Sequence, residues 1–175
     1  YICQLIRDDS VIEFIQHINR KNIPLTSIIN KSIFETNSLL QKREPSLIEY
    51  SAFYGSIQIF QYLLNNHVEI DETLWAYAIH GRNAEIIHIL EENRIKPNFN
   101  CILESIKCHH NEITEYFLIN YPNIVTDKIS YSSVKYYNFE YFPESLNNDL
   151  LFYYLCKYDY LFLVKYLLEI KTVNT

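Results

Sequence analysis

Along residues 46–66, apolar and polar positions fall into two short helical patterns separated by Gly55 and Ser56. The first runs over Leu47–Tyr54 and is entered through Ser46 and Glu49, which match the S-x-x-E capping box whose side chains satisfy orphan backbone donors. The second runs over Ile57–Asn65, with apolar residues at 57, 59, 60, 63 and 64. That i, i+3, i+4 spacing marks a helix face that has to be buried.

The pair recurs. Advancing by 27 residues lays Tyr77 on Tyr50, Ile86 on Ile59, Leu90 on Leu63 and Asn93 on Asn66. Another 27 aligns Ser51, Ala78 and Ser105 as small residues and Ile59, Ile86 and Ile113 as apolar ones. A backward shift of 48 lays Val11, Ile12, Phe14 and Ile15 on Ile59, Phe60, Tyr62 and Leu63. A forward shift of 104 lays Tyr154, Tyr158, Leu163, Val164, Leu167 and Leu168 on the same template. Gly55, Arg82, His109 and Asp159 share the turn between the two helices, a place that calls for a left-handed backbone, with Gly81 able to take over from Arg82. Pro45, Pro97 and Pro122 fall between pairs, where helices must stop.

Two stretches break the rhythm. One is the irregular segment of residues 19–44. The other is the Tyr-rich unit of residues 127–147, which carries Pro143 where its second helix should run. A proline inside a helix costs about 3 kcal/mol, so a distorted unit is expected there. No single pair is large enough to bury its own face. The expectation is therefore all-α: one domain over residues 1–175, a solenoid of stacked helix-turn-helix units whose core is the interface between neighbours. A start at Tyr1, with helical pattern at both ends, leads us to expect part of a longer array.

Composition narrows the function. Lys and Arg number 15 against 21 Asp and Glu, a formal charge of −6, which opposes binding to a phosphate backbone, so no nucleic acid partner is expected. With two glycines there is no glycine-rich phosphate loop. The most apolar stretch, residues 150–170, is interrupted by Lys157, Asp159, Lys165 and Glu169, whereas a membrane span needs about 20 nearly uninterrupted apolar residues. Membrane insertion is not expected. Cys3, Cys101, Cys108 and Cys156 are scattered and read as reduced, mostly buried thiols of a cytoplasmic protein.

The segment 46–69 resembles an ankyrin repeat. The likeness runs through Ser51-Ala52 as the small pair, Gly55 as the turn glycine, Ile59-Phe60, the leucine pair Leu63-Leu64 and the ending Val68-Glu69. Ser46-Leu47-Ile48-Glu49 replaces the usual Thr-Pro-Leu-His opening, and the period of 27 is shorter than the family's usual 33 or so. From residue 46 through Ala76-Tyr77-Ala78-Ile79-His80 to Asn111 the chain is similar, more narrowly, to a divergent ankyrin-associated domain of unassigned function found in protist proteins. The resemblance implies ankyrin-like stacking with short or absent β-hairpin fingers, protein binding without chemistry, and further ankyrin-like repeats in the same chain.

Candidate chemistry is sparse. Cys101, Cys108, His109 and His110 are metal-capable, but the two cysteines lie about 10 Å apart along one helix and adjacent histidines diverge, so no metal site is expected. His80 and His88 would meet Cys108 only through stacking of neighbours. No nucleophile motif is present, carboxylate pairs sit at helix ends, and neither catalysis nor a cofactor is expected. Trp75 aligns with Ile48 and Ile102 and belongs to the core. The candidate protein-binding residues are those at the exposed end of each first helix: Phe53 and Tyr54, His80 and Arg82, Lys107 and His109. In ankyrin-like stacking they line the concave side, where aromatics beside cations suit a partner with acidic and apolar groups. The alternative is a structural cap or spacer of a longer array.

Overall fold

The computed structural model describes residues 1–122, 127–142 and 149–173. Among them the secondary structure is helical, without strands; an isolated antiparallel bridge joins Ile28 and Ser46. The chain divides into two compact units, Tyr1–Cys101 and Ile102–Thr175.

The first unit contains α1 (Ile2–Arg7), α2 (Val11–Lys21), α3 (Ser38–Lys42), α4 (Leu47–Tyr54), α5 (Ile57–Asn65), α6 (Leu74–Gly81) and α7 (Ala84–Glu92). Helix α4 starts as its sequence dictates: Ser46 accepts from the Glu49 amide, and the Glu49 carboxylate accepts from the Ser46 amide at 2.8 Å. The first helices pack side by side, α4 between α1 and α6, and the second helices do likewise, α5 between α2 and α7. Tyr50, Ala52, Ile59, Phe60, Leu63, Trp75, Tyr77, Ile79, Ile86 and Leu90 are buried between them. Trp75 is fully buried, as its alignment required, and its indole N–H donates to the Ile95 carbonyl at 2.9 Å.

The second unit begins within α8 (Phe99–Lys107) and continues through α9 (Asn111–Asn120), α10 (Asp127–Tyr136), a 3-10 turn (Phe139–Tyr141), α11 (Asp149–Lys157) and α12 (Leu161–Val173). Val134, Leu151, Leu155, Tyr160 and Leu167 form its core, with Phe142, Phe152, Tyr154 and Val164 packed against them. The Tyr-rich unit thus has a regular first helix, α10; Pro143 lies outside the described residues. The other irregular stretch, residues 19–44, is loop and turn apart from the last residues of α2 and the short α3.

Backbone dihedrals fix the register. Gly55, Arg82, His109 and Asp159 all take left-handed φ values, of 68°, 52°, 57° and 59°, as the alignment anticipated. Asp9 and Tyr137, at 49° and 59°, occupy the same turn after α1 and after α10, in the first copy and the last but one. The residue after this turn donates its amide back to the carbonyl five positions earlier in Ser10, Ser56, His110, Asn138 and Tyr160, closing a Schellman-type turn.

Two sequence expectations are corrected. Matching turn to turn places Asp9 on Gly55, so the first pair is offset by 46 rather than 48, and Phe14, fully buried, takes the place of Phe60. Ile12, set on a core position by the sequence alignment, is 71% exposed. A 3.6-residue apolar period is nearly self-similar under small shifts, which explains the slip. Gly81 does not relieve Arg82 of the left-handed turn. It ends α6 where a Cβ would sit 2.0 Å from the Ala52 carbonyl oxygen, so its role is close helix approach.

Side chains tie successive pairs together at constant register. The residue after the left-handed one reaches the preceding first helix: Ser56 donates to the Ile6 carbonyl, Asn138 to Ile106 at 3.1 Å, and Tyr160 to Val134 at 2.6 Å. Each of these acceptors lies three residues before its own left-handed residue. Asp9 adds a cap in trans, its carboxylate accepting from the Gln58 and Ile59 amides at the start of α5, both at 3.0 Å. The small residues four before the turn, Ser51, Ser105 and Ser133, are fully buried or nearly so and each donates to the carbonyl three residues back.

Candidate functional site

In the first unit the sequence-derived candidates come from two adjacent helices. Phe53 and His80 are the last residues but one of α4 and α6; both are half-buried, and their rings stack 4.8 Å apart at 24°. Tyr54 sits edge-on to Phe53 at 5.0 Å. Arg82 is exposed on the left-handed turn. The sequence reading placed these residues in one row, and the fold brings Phe53, Tyr54 and His80 into contact.

Beside them lies a cluster that periodicity did not reveal. Arg7 donates twice to the Tyr50 hydroxyl, at 2.7 and 3.0 Å, and its guanidinium lies 4.9 Å from the Tyr54 ring centroid. Glu35, from the loop before α3, accepts from Arg7 at 3.4 Å and from the Tyr54 hydroxyl at 3.2 Å. Arg7, Glu35 and Tyr50 border a cleft of about 210 Å³ whose walls also include Cys3, Lys31 and Leu40. Burial pushes the Tyr50 and Tyr54 hydroxyls up, so both remain neutral donors and acceptors at physiological pH. On the same loop Ile33 and Phe34 are 91% and 86% exposed. The contributing residues lie 28 and 43 positions apart in pairs, beyond the reach of a periodic signal.

The second unit holds the remaining candidates. Lys107, at the end of α8, pairs with Glu104 at 2.7 Å. His109 is exposed on its left-handed turn, and its ring nitrogen meets the Tyr136 carbonyl at 2.8 Å. Lys107 stands two residues before the left-handed position, and the structure shows Lys135 and Lys157 in the equivalent places on α10 and α11. The Lys135 ammonium lies 4.9 Å from the Tyr136 ring, and Lys157 lies 5.6 and 5.8 Å from the rings of Tyr153 and Tyr158. Sequence alone missed Lys135 because Tyr137, which defines the turn of its copy, is no usual left-handed residue; Lys157 precedes Asp159, a turn the sequence did show, and was passed over there.

The cysteines differ from expectation in burial. Cys101 is buried, Cys3 and Cys108 are intermediate and Cys156 is exposed, all as free thiols. Burial, with Glu104 nearby, pushes the Cys108 thiol up to about 12, so it stays protonated at neutral pH. Among the described residues no helix is long and apolar enough to cross a membrane.

A family model described as a domain of unknown function (DUF3447) matches residues 66–145, somewhat under half of the chain. No curated protein and no solved structure matches the chain.

Proposed function

We propose that the chain is a non-catalytic scaffold for protein–protein interaction, built as an ankyrin-like solenoid of helix pairs with short fingers, and that it binds its partner where the first helices end. One observation carries the reading: Phe53 and His80, from consecutive first helices, stack at the same register and so form a composite surface that no single repeat presents. Aromatic groups of this kind dominate the energetics of interfaces. The adjoining Arg7 cleft, with Ile33 and Phe34 exposed beside it, suits a partner that offers acidic and apolar groups together. Arg82 in the first unit, and Lys107 and His109 in the second, supply further polar contacts.

Affinity capture with the parent chain and a Phe53→Ala, Tyr54→Ala, His80→Ala variant tests this reading. Proteins retained by the parent and lost by the variant, with far-UV circular dichroism unchanged, support it. Identical retention by both sinks it. The alternative role, a structural spacer between further repeats, draws on a different observation. Tyr153, Leu161, Phe162 and Tyr166 on α11 and α12 are 52–87% exposed, and a neighbouring helix pair would cover apolar surface of that kind. A repeat fused after α12 should then raise the melting temperature of the second unit.

A further inference from the structure

Counting back two residues from the left-handed turn that follows each first helix gives Arg7, Phe53, His80, Lys107, Lys135 and Lys157, so the position is basic in every copy but one. Lys and Arg number 15 and His 6 in 175 residues, about one residue in eight, and the chain as a whole is acidic. Chance placement would put about one basic residue in this column. Packing does not demand the charge either, since the next position toward the helix start, three before the turn, is the one that is fully buried in Ile6, Ala52, Ile79, Ile106 and Val134. Arg7 and Lys107 meet carboxylates of the chain itself, Glu35 and Glu104, whereas Lys135 and Lys157 lie against tyrosine rings and keep their charge for an anionic ligand.

Within the second unit the geometry is specific. Helices α10 and α11 pack together, and the ends of α8 and α10 are joined by Asn138 to the Ile106 carbonyl and by His109 to the Tyr136 carbonyl. Neighbouring helices stand about 8–10 Å apart. An extended peptide rises about 3.3 Å per residue, so every third side chain advances about 10 Å, one helix of the stack. Lys135 and Lys157 are held over tyrosine rings, which orients their ammonium groups before a ligand arrives. Lys107 is partly neutralised by Glu104 and contributes less.

We propose that the column formed by Lys107, Lys135 and Lys157 binds an acidic protein segment in extended conformation, with carboxylates at every third residue, running across the ends of α8, α10 and α11. The net charge of −6 argues for an acidic peptide over a nucleic acid, which would bring a dense phosphate field to an acidic protein. This inference rests on the reading of the chain as a binding module and names the chemistry of what is bound.

The test is fluorescence anisotropy with the full chain and a labelled peptide of about twelve residues carrying glutamate at every third position. The same composition with contiguous glutamates and an oligothymidylate of similar length serve as comparison probes. The spaced peptide should bind more tightly than either. Lys135→Gln combined with Lys157→Gln should weaken it about tenfold, about threefold for each lost charge pair. Lys165→Gln, an exposed lysine on α12 outside the column, should leave binding unchanged. The inference is overturned if the spaced peptide does not bind, if Lys165→Gln weakens it as much as the double variant, or if the oligothymidylate binds more tightly. Capture through Phe53 and His80 is read separately, so the scaffold reading survives failure of the peptide titration.

Discussion

Replacing Gly81 with alanine separates local helix propensity from tertiary packing, because the two act in opposite directions. Within α6 alone the substitution stabilises by about 1 kcal/mol, the ordinary gain of alanine over glycine in a helix. In the folded unit the new Cβ meets the Ala52 carbonyl oxygen at 2.0 Å and the Gly55 amide nitrogen at 2.9 Å. Both are backbone atoms of the neighbouring copy, so no side-chain rotation relieves them. Restoring a contact of about 3.5 Å requires α4 and α6 to part by more than 1 Å, and a gap of that size forfeits about half the dispersion energy of the atoms lining it. Ala52, Tyr77, Ala78 and Ile79 are all buried at or beside this contact. Overpacking of this kind costs about 3 kcal/mol, which leaves a net loss of about 2 kcal/mol.

Trp75 makes the measurement clean. It is the single tryptophan of the chain, fully buried in the first unit, so its fluorescence reports that unit. The midpoint of urea unfolding should fall by about 1 M at unchanged slope, and the unit's melting temperature by about 8–16 °C. An unchanged or raised midpoint would refute the claim that Gly81 is there for close approach.

Other perturbations follow from the same register. Arg82→Gly should stabilise the first unit by about 1 kcal/mol, because it removes a side chain from a left-handed backbone without touching a buried contact; a lower Trp75-monitored midpoint would count against it. Asp9→Ala should cost about 1 kcal/mol through loss of the cap on the Gln58 and Ile59 amides, and hydrogen exchange at those two amides should accelerate ahead of the rest of α5. The Cys108 thiol is raised in the folded chain from its ordinary 9.0 to about 12, so the unfolded chain loses that proton first. Its contribution to stability is fully present below about pH 9 and is lost as pH rises toward 12. Tyr160, raised from 10.0 to about 12, acts in the same direction but starts later. In Cys108→Ala the onset of alkaline destabilisation, followed by circular dichroism melting, should therefore move from about pH 9 to about pH 10.

The contrast between what the chain announced and what it concealed has a physical pattern. The limits of α4 and α5 were legible to the residue, because a capping box, a glycine and an apolar stripe are local and each has one structural meaning. The core place of Trp75 was legible from alignment alone. The register of the first pair was not, since an amphipathic stripe shifted by two still looks amphipathic; only the backbone at Asp9 decides it. Tyr137 hid its turn for a related reason. A left-handed non-glycine residue costs about 1–2 kcal/mol, which stacking offsets, so any side chain is admitted there once the neighbours hold the helix ends together. The consequence reaches the candidate site. Turns define the column two residues upstream, and with Asp9 and Tyr137 unrecognised, Arg7 and Lys135 had no register in which to align with His80, Lys107 and Lys157. In a repeat of this kind, then, a column of candidate binding residues becomes visible only after the strained turn positions are known, because the turns, more than the apolar stripe, set which residues of successive helices stand in line.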